Sequence, residues 1–343
     1  MTQTILITGG TGAVGPRVVE ALCAGGYHVR VLALDPPKPG AIPLDVEVRI
    51  GSITDPDTVR DAMQGCSGVI HLAALLHIMN PPVELRPKYE AINVGGTRCV
   101  IEAAQAAGVE RVVFFSTIAV YGYAAPQNSA TGNGRATILT ETTPCQPDTF
   151  YGETKLAAEK IVLDAKRADG APLGTVLRMS AIYGSGIKGN YRKLALALAR
   201  GRFIPIGPGG NCRTLVYDRD AATAAVLALA HPAAAGQIYN VTDGCYHRLC
   251  EIIAAICGAL GKHPPRVQIP VWAATFAAGS VESALRLVRK NPPALRATIG
   301  KYLEDVAVSG EKLRNDLGFV PKYELAEGWK ECIAEMRKSG EVK

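Results

Sequence analysis

From Thr4 onward, short apolar runs alternate with stretches in which apolar residues recur every three or four positions. The runs are Thr4–Ile7, His28–Leu32, Glu47–Ile50, Gly68–Leu72, Arg111–Ser116 and Gly174–Arg178, several of them apolar at nearly every position. That is how strands buried on both faces read, rather than half-exposed hairpins. Between them Val14–Ala24, Asp55–Met63, Glu90–Ala107 and Tyr151–Lys166 carry helical spacing. Repeated strand–helix units need right-handed crossovers, so the pattern predicts an α/β fold with a doubly wound parallel sheet.

After Arg178 the alternation weakens. One more strand is expected at Ile238–Val241, and helices at Leu249–Leu260, Val271–Val288 and Leu325–Met336. The expected division assigns 1–178 and 214–243 to the sheet. It assigns 179–213 and 244–343 to a smaller, mainly helical substrate lobe over the carboxyl ends of the strands. Ala124 to Pro147, rich in Ser, Thr, Asn, Gly and Pro, reads as a surface loop.

Composition narrows the function. Hydrophobic residues at 48% and charged ones at 20% of 343 fit a globular chain with a core and argue against disorder. The surplus of six positive charges (37 − 31) is dispersed, which suits an anionic small ligand or a membrane surface and argues against nucleic acid. Nine cysteines without a CxxC, and no His pair at metal spacing, point to a reducing cytoplasm with neither disulfide framework nor metal. No signal peptide precedes the first strand, and Val267–Val281 is broken by Gln268, Pro270 and Gly279. A cytoplasmic enzyme is expected, with the inner face of the membrane as the alternative location.

Between the first strand and the first helix stands Thr8-Gly9-Gly10-Thr11-Gly12-Ala13-Val14-Gly15. Gly9 permits a tight turn, Gly12 a close approach of backbone to a pyrophosphate, and Gly15 close packing of helix on strand. Asp35, 20 residues past Gly15, is placed to grip an adenosine ribose, so NAD is the expected cofactor and NADP the alternative. Tyr151 and Lys155 lie one helical turn apart, after a strand that ends in Ser116 and Thr117. A nearby ammonium stabilises a phenolate, which would let Tyr151 exchange a proton with a substrate hydroxyl.

With these pieces the chain resembles the extended short-chain dehydrogenase/reductase family of sugar epimerases, dehydratases and related reductases. The likeness runs through the glycine loop, His71-Leu72-Ala73-Ala74, Asn93-Val94-Gly95-Gly96-Thr97 and Ser116 to Gly122. It continues through Tyr151-Gly152-Glu153-Thr154-Lys155, Leu177-Arg178 and Leu317-Gly318-Phe319-Val320-Pro321. The resemblance implies a Rossmann-type sheet, a homodimer, and Thr117, Tyr151 and Lys155 as the catalytic set. It also brings Leu72, Ala73, Ala74, Asn93, Ser116, Ser52 and Ile53 near the cofactor, although Ser52 stands where many members carry an Asp.

The resemblance also bears on the reaction. The acids that follow the catalytic Thr in sugar 4,6-dehydratases are replaced here by Ile118 and Ala119. Arg213 matches the family position for a substrate diphosphate, and Tyr183 is a candidate substrate contact. A basic piece, Ser283–Lys290 with Arg286, Arg289 and Lys290, could touch anionic lipid. The leading expectation is an NAD-dependent epimerase that inverts C4 of a nucleotide- or polyprenyl-diphosphate-linked sugar through a keto intermediate. Its rivals are an alcohol dehydrogenase or ketone reductase of 3β-hydroxysteroid dehydrogenase or dihydroflavonol reductase type, and a non-catalytic dinucleotide-binding regulator.

Overall fold

The computed structural model describes residues 3–342 apart from 77, 79–80, 123–136 and 289–293. Seven parallel strands form the central sheet: β1 (Thr4–Thr8), β2 (His28–Ala33), β3 (Glu47–Ile50), β4 (Gly68–His71), β5 (Arg111–Thr117), β6 (Gly174–Met179) and β7 (Ile238–Val241). Their order is β7-β6-β5-β4-β1-β2-β3, which reverses direction at β1 and β4. The pleat sorts each strand between two cores. Ile5 and Ile7 of β1 enter one cluster with Val113 and Phe115 of β5, while Leu6, Val112 and Phe114 enter the other.

The helices in chain order are α1 (Gly15–Ala24), α2 (Pro56–Met63), α3 (86–106), α4 (Phe150–Asp164), α5 (Asn190–Ala199) and α6 (Asp218–Ala230). There follow α7 (Leu249–Leu260), α8 (Val271–Val288), α9 (Leu295–Leu303), α10 (Glu311–Leu317) and α11 (Leu325–Lys338). Helices α1 and α6 cover one face of the sheet through Val18, Leu22 and the alanines of α6. Helices α2, α3 and α4 cover the other through Val59, Val100 and Val162. The lobe has its own core, where Ile252 and Ile256 of α7 meet Trp329 and Ile333 of α11.

Within the loop expected from Ala124, residues 124–136 lie outside the described residues. Ile138–Leu139 form a short strand paired in parallel with Ala307–Val308, tying that connection to the C-terminal segment. Leu313 and Leu317 of α10, assigned by pattern to the lobe, pack in the core of the sheet. None of the nine cysteines is in a disulfide. Among the described residues no helix is long and apolar enough to cross a membrane.

Candidate active site

The strands end at one edge, and the site is built on their carboxyl ends, where doubly wound sheets bind ligands. After β1, Gly9 turns with φ +74°, and a Cβ there would lie 2.7 Å from the backbone nitrogen of Ala73. A Cβ on Gly15 would stand 2.3 Å from the carbonyl oxygen of Gly10. The Gly12 N–H donates to Gly9 O at 2.9 Å and closes the loop. Helix α1 starts with no side-chain cap and no acid in its first turn, which leaves its positive end to an anion. Gly9, Gly12, Ala13, Val14 and Gly15 wall one side of a cavity of about 270 Å³. Leu72, Ala73 and Ala74 wall it after β4, and Ser116, Thr117, Tyr151 and Lys155 close its far end.

A buried polar chain underlies that cavity. His71 Nδ1 lies 2.5 Å from Thr8 Oγ1, its Nε2 3.0 Å from Thr97 Oγ1, and Thr97 Oγ1 donates to Asn93 O at 2.6 Å. Burial, helped by the Lys155 charge, pushes His71 down to about 3 and keeps its ring neutral. Asn93 sits in a π-helical turn, Glu90–Gly95, inside α3. Such single wide turns recur at functional sites. The Asn93 amide accepts from Leu75 N–H at 2.7 Å and donates to Leu75 O at 3.2 Å and Thr154 Oγ1 at 3.1 Å. One side chain thereby joins the loop after β4 to α4.

Helix α4 presents the catalytic candidates. Thr149 caps it by accepting from Gly152 N–H at 3.1 Å, and Tyr151 and Lys155 follow one turn apart. Lys155 is 2% exposed, with Nζ 3.9 Å from the centre of the Phe114 ring. Burial pushes Lys155 down to about 7 against the pull of Glu159 one turn on, and pushes Tyr151 up to about 12 with help from Tyr89. Loss of water thus favours the neutral form of each group. Thr117 ends β5, where its Oγ1 accepts from Ala119 N–H at 3.1 Å.

Helix α4 is locked to the sheet from beneath. The Arg178 guanidinium on β6 grips Glu159 with bonds of 2.7, 3.1 and 3.2 Å, and Ser116 also donates to Glu159. A further Arg178 N–H donates to Tyr121 Oη at 3.1 Å, and Tyr121 donates to Asn240 Oδ1 at 2.7 Å. Ser116 therefore borders the first cavity while its hydroxyl serves this network.

A second cavity, of about 340 Å³, meets the first at Thr117, Tyr151, Met179 and Ser180, which line both. Ile118, Leu139, Ala181, Val306 and Val308 make its walls apolar, and Asp148, Lys301, Glu304 and Asp305 carry its charge. Lys301 Nζ lies 3.7 Å from Asp148. Burial pushes Glu304 up to about 7 despite Arg213 and Lys301. Ser180 Oγ is buried with no hydrogen-bond partner among the described residues. Sequence reasoning missed Ser180 and Met179; their place directly after Arg178, at a strand end, was the available signal.

Several of the expected residues line neither cavity. Arg213 donates to the carbonyls of Lys301 and Tyr302, 2.9 Å each, and to that of Glu304, so its fork caps the C-terminus of α9. Tyr183 is 1% exposed and stacks on Trp329 with ring centres 4.9 Å apart. It lines neither cavity and packs in the lobe core. Asp35 is exposed in the bend two residues past β2 and does not line the first cavity. After β3, Ser52 Oγ bonds Thr54 Oγ1 at 2.7 Å, and Ile53 is buried against Gly96. Among the described residues one cluster has metal-type donors, Asp243, Cys245 and His247; there His247 Nε2 and Asp243 Oδ2 already satisfy each other at 2.6 Å.

The glycine cradle, the uncapped α1 and the unpartnered Ser180 hydroxyl fit a dinucleotide laid from β1 toward Tyr151. Comparisons with known proteins agree. The chain is 30% identical to the 3 beta-hydroxysteroid dehydrogenase/Delta 5→4-isomerase of Mycobacterium tuberculosis, covering 96% of this chain and 89% of that one. It is 25% identical to an Escherichia coli O157:H7 4-epimerase of N-acetyl-glucosaminyl-diphospho-undecaprenol, covering 96% and 93%. Its fold matches that of a short-chain dehydrogenase/reductase superfamily protein of Agrobacterium tumefaciens with bound NAD, with TM-score 0.72, 25% identity and 98% of both chains covered. Residues 5–242 match the family model, and the chain belongs to the NAD dependent epimerase/dehydratase family.

Proposed function

We propose that the protein is an NAD-dependent oxidoreductase that interconverts a ketone and a secondary alcohol on a largely apolar substrate. The second cavity carries this reading. Its walls are apolar, and its charged positions are three carboxyl groups, Asp148, Glu304 and Asp305, against the single ammonium of Lys301. A diphosphate placed there would meet the carboxylates of Asp148 and Asp305, and Arg213, the candidate diphosphate ligand, has its donors on α9 carbonyls. The 3 beta-hydroxysteroid dehydrogenase relative supports the same reading.

Gly9, Gly12 and the start of α1 would hold the NAD pyrophosphate, with Ala73 and Ala74 beside it and Lys155 and Ser180 at the far end of the cavity. Bound there, NAD supplies the two-electron exchange at the substrate carbon. The protein's share is proton management and orientation. Thr117 Oγ1 accepts from Ala119 N–H, so its own proton is available to the substrate oxygen. Tyr151, raised to about 12, holds its proton at neutral pH and is set to give it to an oxygen becoming an alkoxide. The Lys155 ammonium stabilises the phenolate left behind. The protonated Tyr151 is the form that reduction uses and the phenolate the form that oxidation uses.

The second reading is the sugar-diphosphate 4-epimerase, favoured by the Escherichia coli relative and by a UDP-glucose 4-epimerase of Vibrio cholerae at 28% identity over 79% of this chain. Ile118 and Ala119 after Thr117 leave no acid for sugar dehydration. The convergence of Thr117, Tyr151 and Lys155 on one cavity weighs against a non-catalytic regulator. Incubation with NADH and a panel of alicyclic ketones, and with NAD and a panel of diphosphate-linked sugars, separates the readings. Net NADH consumption with a ketone supports oxidoreduction; sugar inversion with no net change in NADH would replace it with epimerisation.

A further inference from the structure

We propose that the outer face of α8 docks on an anionic lipid surface. Trp272 and Phe276 lie one helical turn apart and are 75% and 74% exposed. The segment leading into α8 adds Val267, 71% exposed, and Ile269, whose N–H bonds Pro205 O beside the exposed Ile204. Two bare aromatic rings on one side of a helix are unusual for a face that only meets water.

Charge identifies the occupant. Between Glu251 and Glu282 the chain contains no acidic residue, while Lys262 and Arg266 precede the helix. Arg286 follows 14 residues after Trp272 and returns to within about 40° of it around the helix. Aromatic rings at headgroup depth, flanked by cations, are the chemistry of an interfacial helix on negatively charged lipid. A second copy fits less well, since a two-fold pairing of this face sets its basic ends, Arg266 and Arg286, against each other. Of the basic piece expected from sequence, Arg289 and Lys290 lie outside the described residues, and the apolar face is two to four turns earlier.

The docked face leads toward the site. Helix α9 packs on α8, with Arg296 N–H donating to Glu282 Oε1 at 2.8 Å, and carries Lys301 to the second cavity. The docking proposal rests on surface chemistry and does not depend on which reaction the site performs.

The chain contains two tryptophans, and Trp329 is buried at 1% exposure, so a change in emission on adding vesicles reports Trp272. The full chain is titrated with phosphatidylcholine vesicles with and without phosphatidylglycerol, following Trp emission and co-sedimentation. The expected result is a blue shift and co-sedimentation with phosphatidylglycerol alone. Phe276→Ser should weaken partitioning by about tenfold, as loss of one buried aromatic side chain implies. Arg266→Gln with Arg286→Gln should remove the dependence on anionic lipid. Absence of a shift with anionic vesicles, while circular dichroism shows a folded protein, overturns the proposal. So does a blue shift that grows with protein concentration without lipid and disappears in Phe276→Ser, which would make the face an interface between copies.

Discussion

Tyr151 and Lys155 show how burial redirects a familiar pair. Side by side in water an ammonium lowers a phenol, but here loss of solvent raises Tyr151 to about 12 and lowers Lys155 to about 7. Ketone reduction should therefore fall as pH rises above about 7, where Lys155 loses the proton that supports the phenolate. A kcat/KM profile that stays flat well into the alkaline range would remove Lys155 from that role. Tyr151→Phe should lower kcat by about 10²–10⁴-fold while leaving NAD affinity near wild type, measured by steady-state kinetics and equilibrium dialysis. Glu304 makes a stability prediction. Its folded value near 7 lies above the ordinary 4.5, so between those values the folded chain holds a proton that the unfolded chain has released. Stability should fall as pH rises through that window, and Glu304→Gln should flatten the fall in urea melts.

At the scale of elements, the site depends on how α3 and α4 are fixed to strand ends. The π turn in α3 brings Asn93 against both Leu75 and Thr154, so the loop that borders the first cavity moves with the helix carrying Tyr151. Asn93→Ala strands the Leu75 N–H and should cost about 1–3 kcal/mol, read from denaturant midpoints. The Glu159–Arg178 pair makes a stronger case. Arg178→Met leaves a buried carboxylate without its partner and should destabilise by about 3–5 kcal/mol, whereas the Glu159→Gln, Arg178→Met double variant should recover part of that loss. If both variants are equally unstable, packing of the Arg178 stem rather than charge holds α4. None of this was visible in the spacing of residues. The sequence pattern placed the helix at Glu90–Ala107, but nothing in a 3.6-residue period announces one wide turn, and Glu159 reads as an ordinary helix acid until β6 sets Arg178 beside it.

Across the whole molecule, legibility followed the range of the interactions. Strands β1 to β7 were readable to within a residue at their ends because continuous apolar runs bounded by glycine or polar residues are local signals. The lining of the first cavity was readable for the same reason: Gly9, Gly12 and Gly15 belong to one loop, and Tyr151 and Lys155 share one helix. The second cavity was not. Its cavity draws Ile118, Leu139, Ala181, Lys301 and Val306 from distant parts of the chain, and the fate of Arg213 was decided by where α9 ends. Tyr183 likewise looks like a site residue in sequence and becomes lobe core once Trp329 stacks on it. The apolar second cavity is thus the feature that most changes the functional reading. Its direct test is the NADH balance of the purified protein with an apolar alicyclic ketone. One NADH should be consumed per alcohol formed, and that turnover should be lost in Tyr151→Phe; inversion of a diphosphate-linked sugar in the presence of NAD, with no net NADH formed, would contradict the oxidoreductase reading.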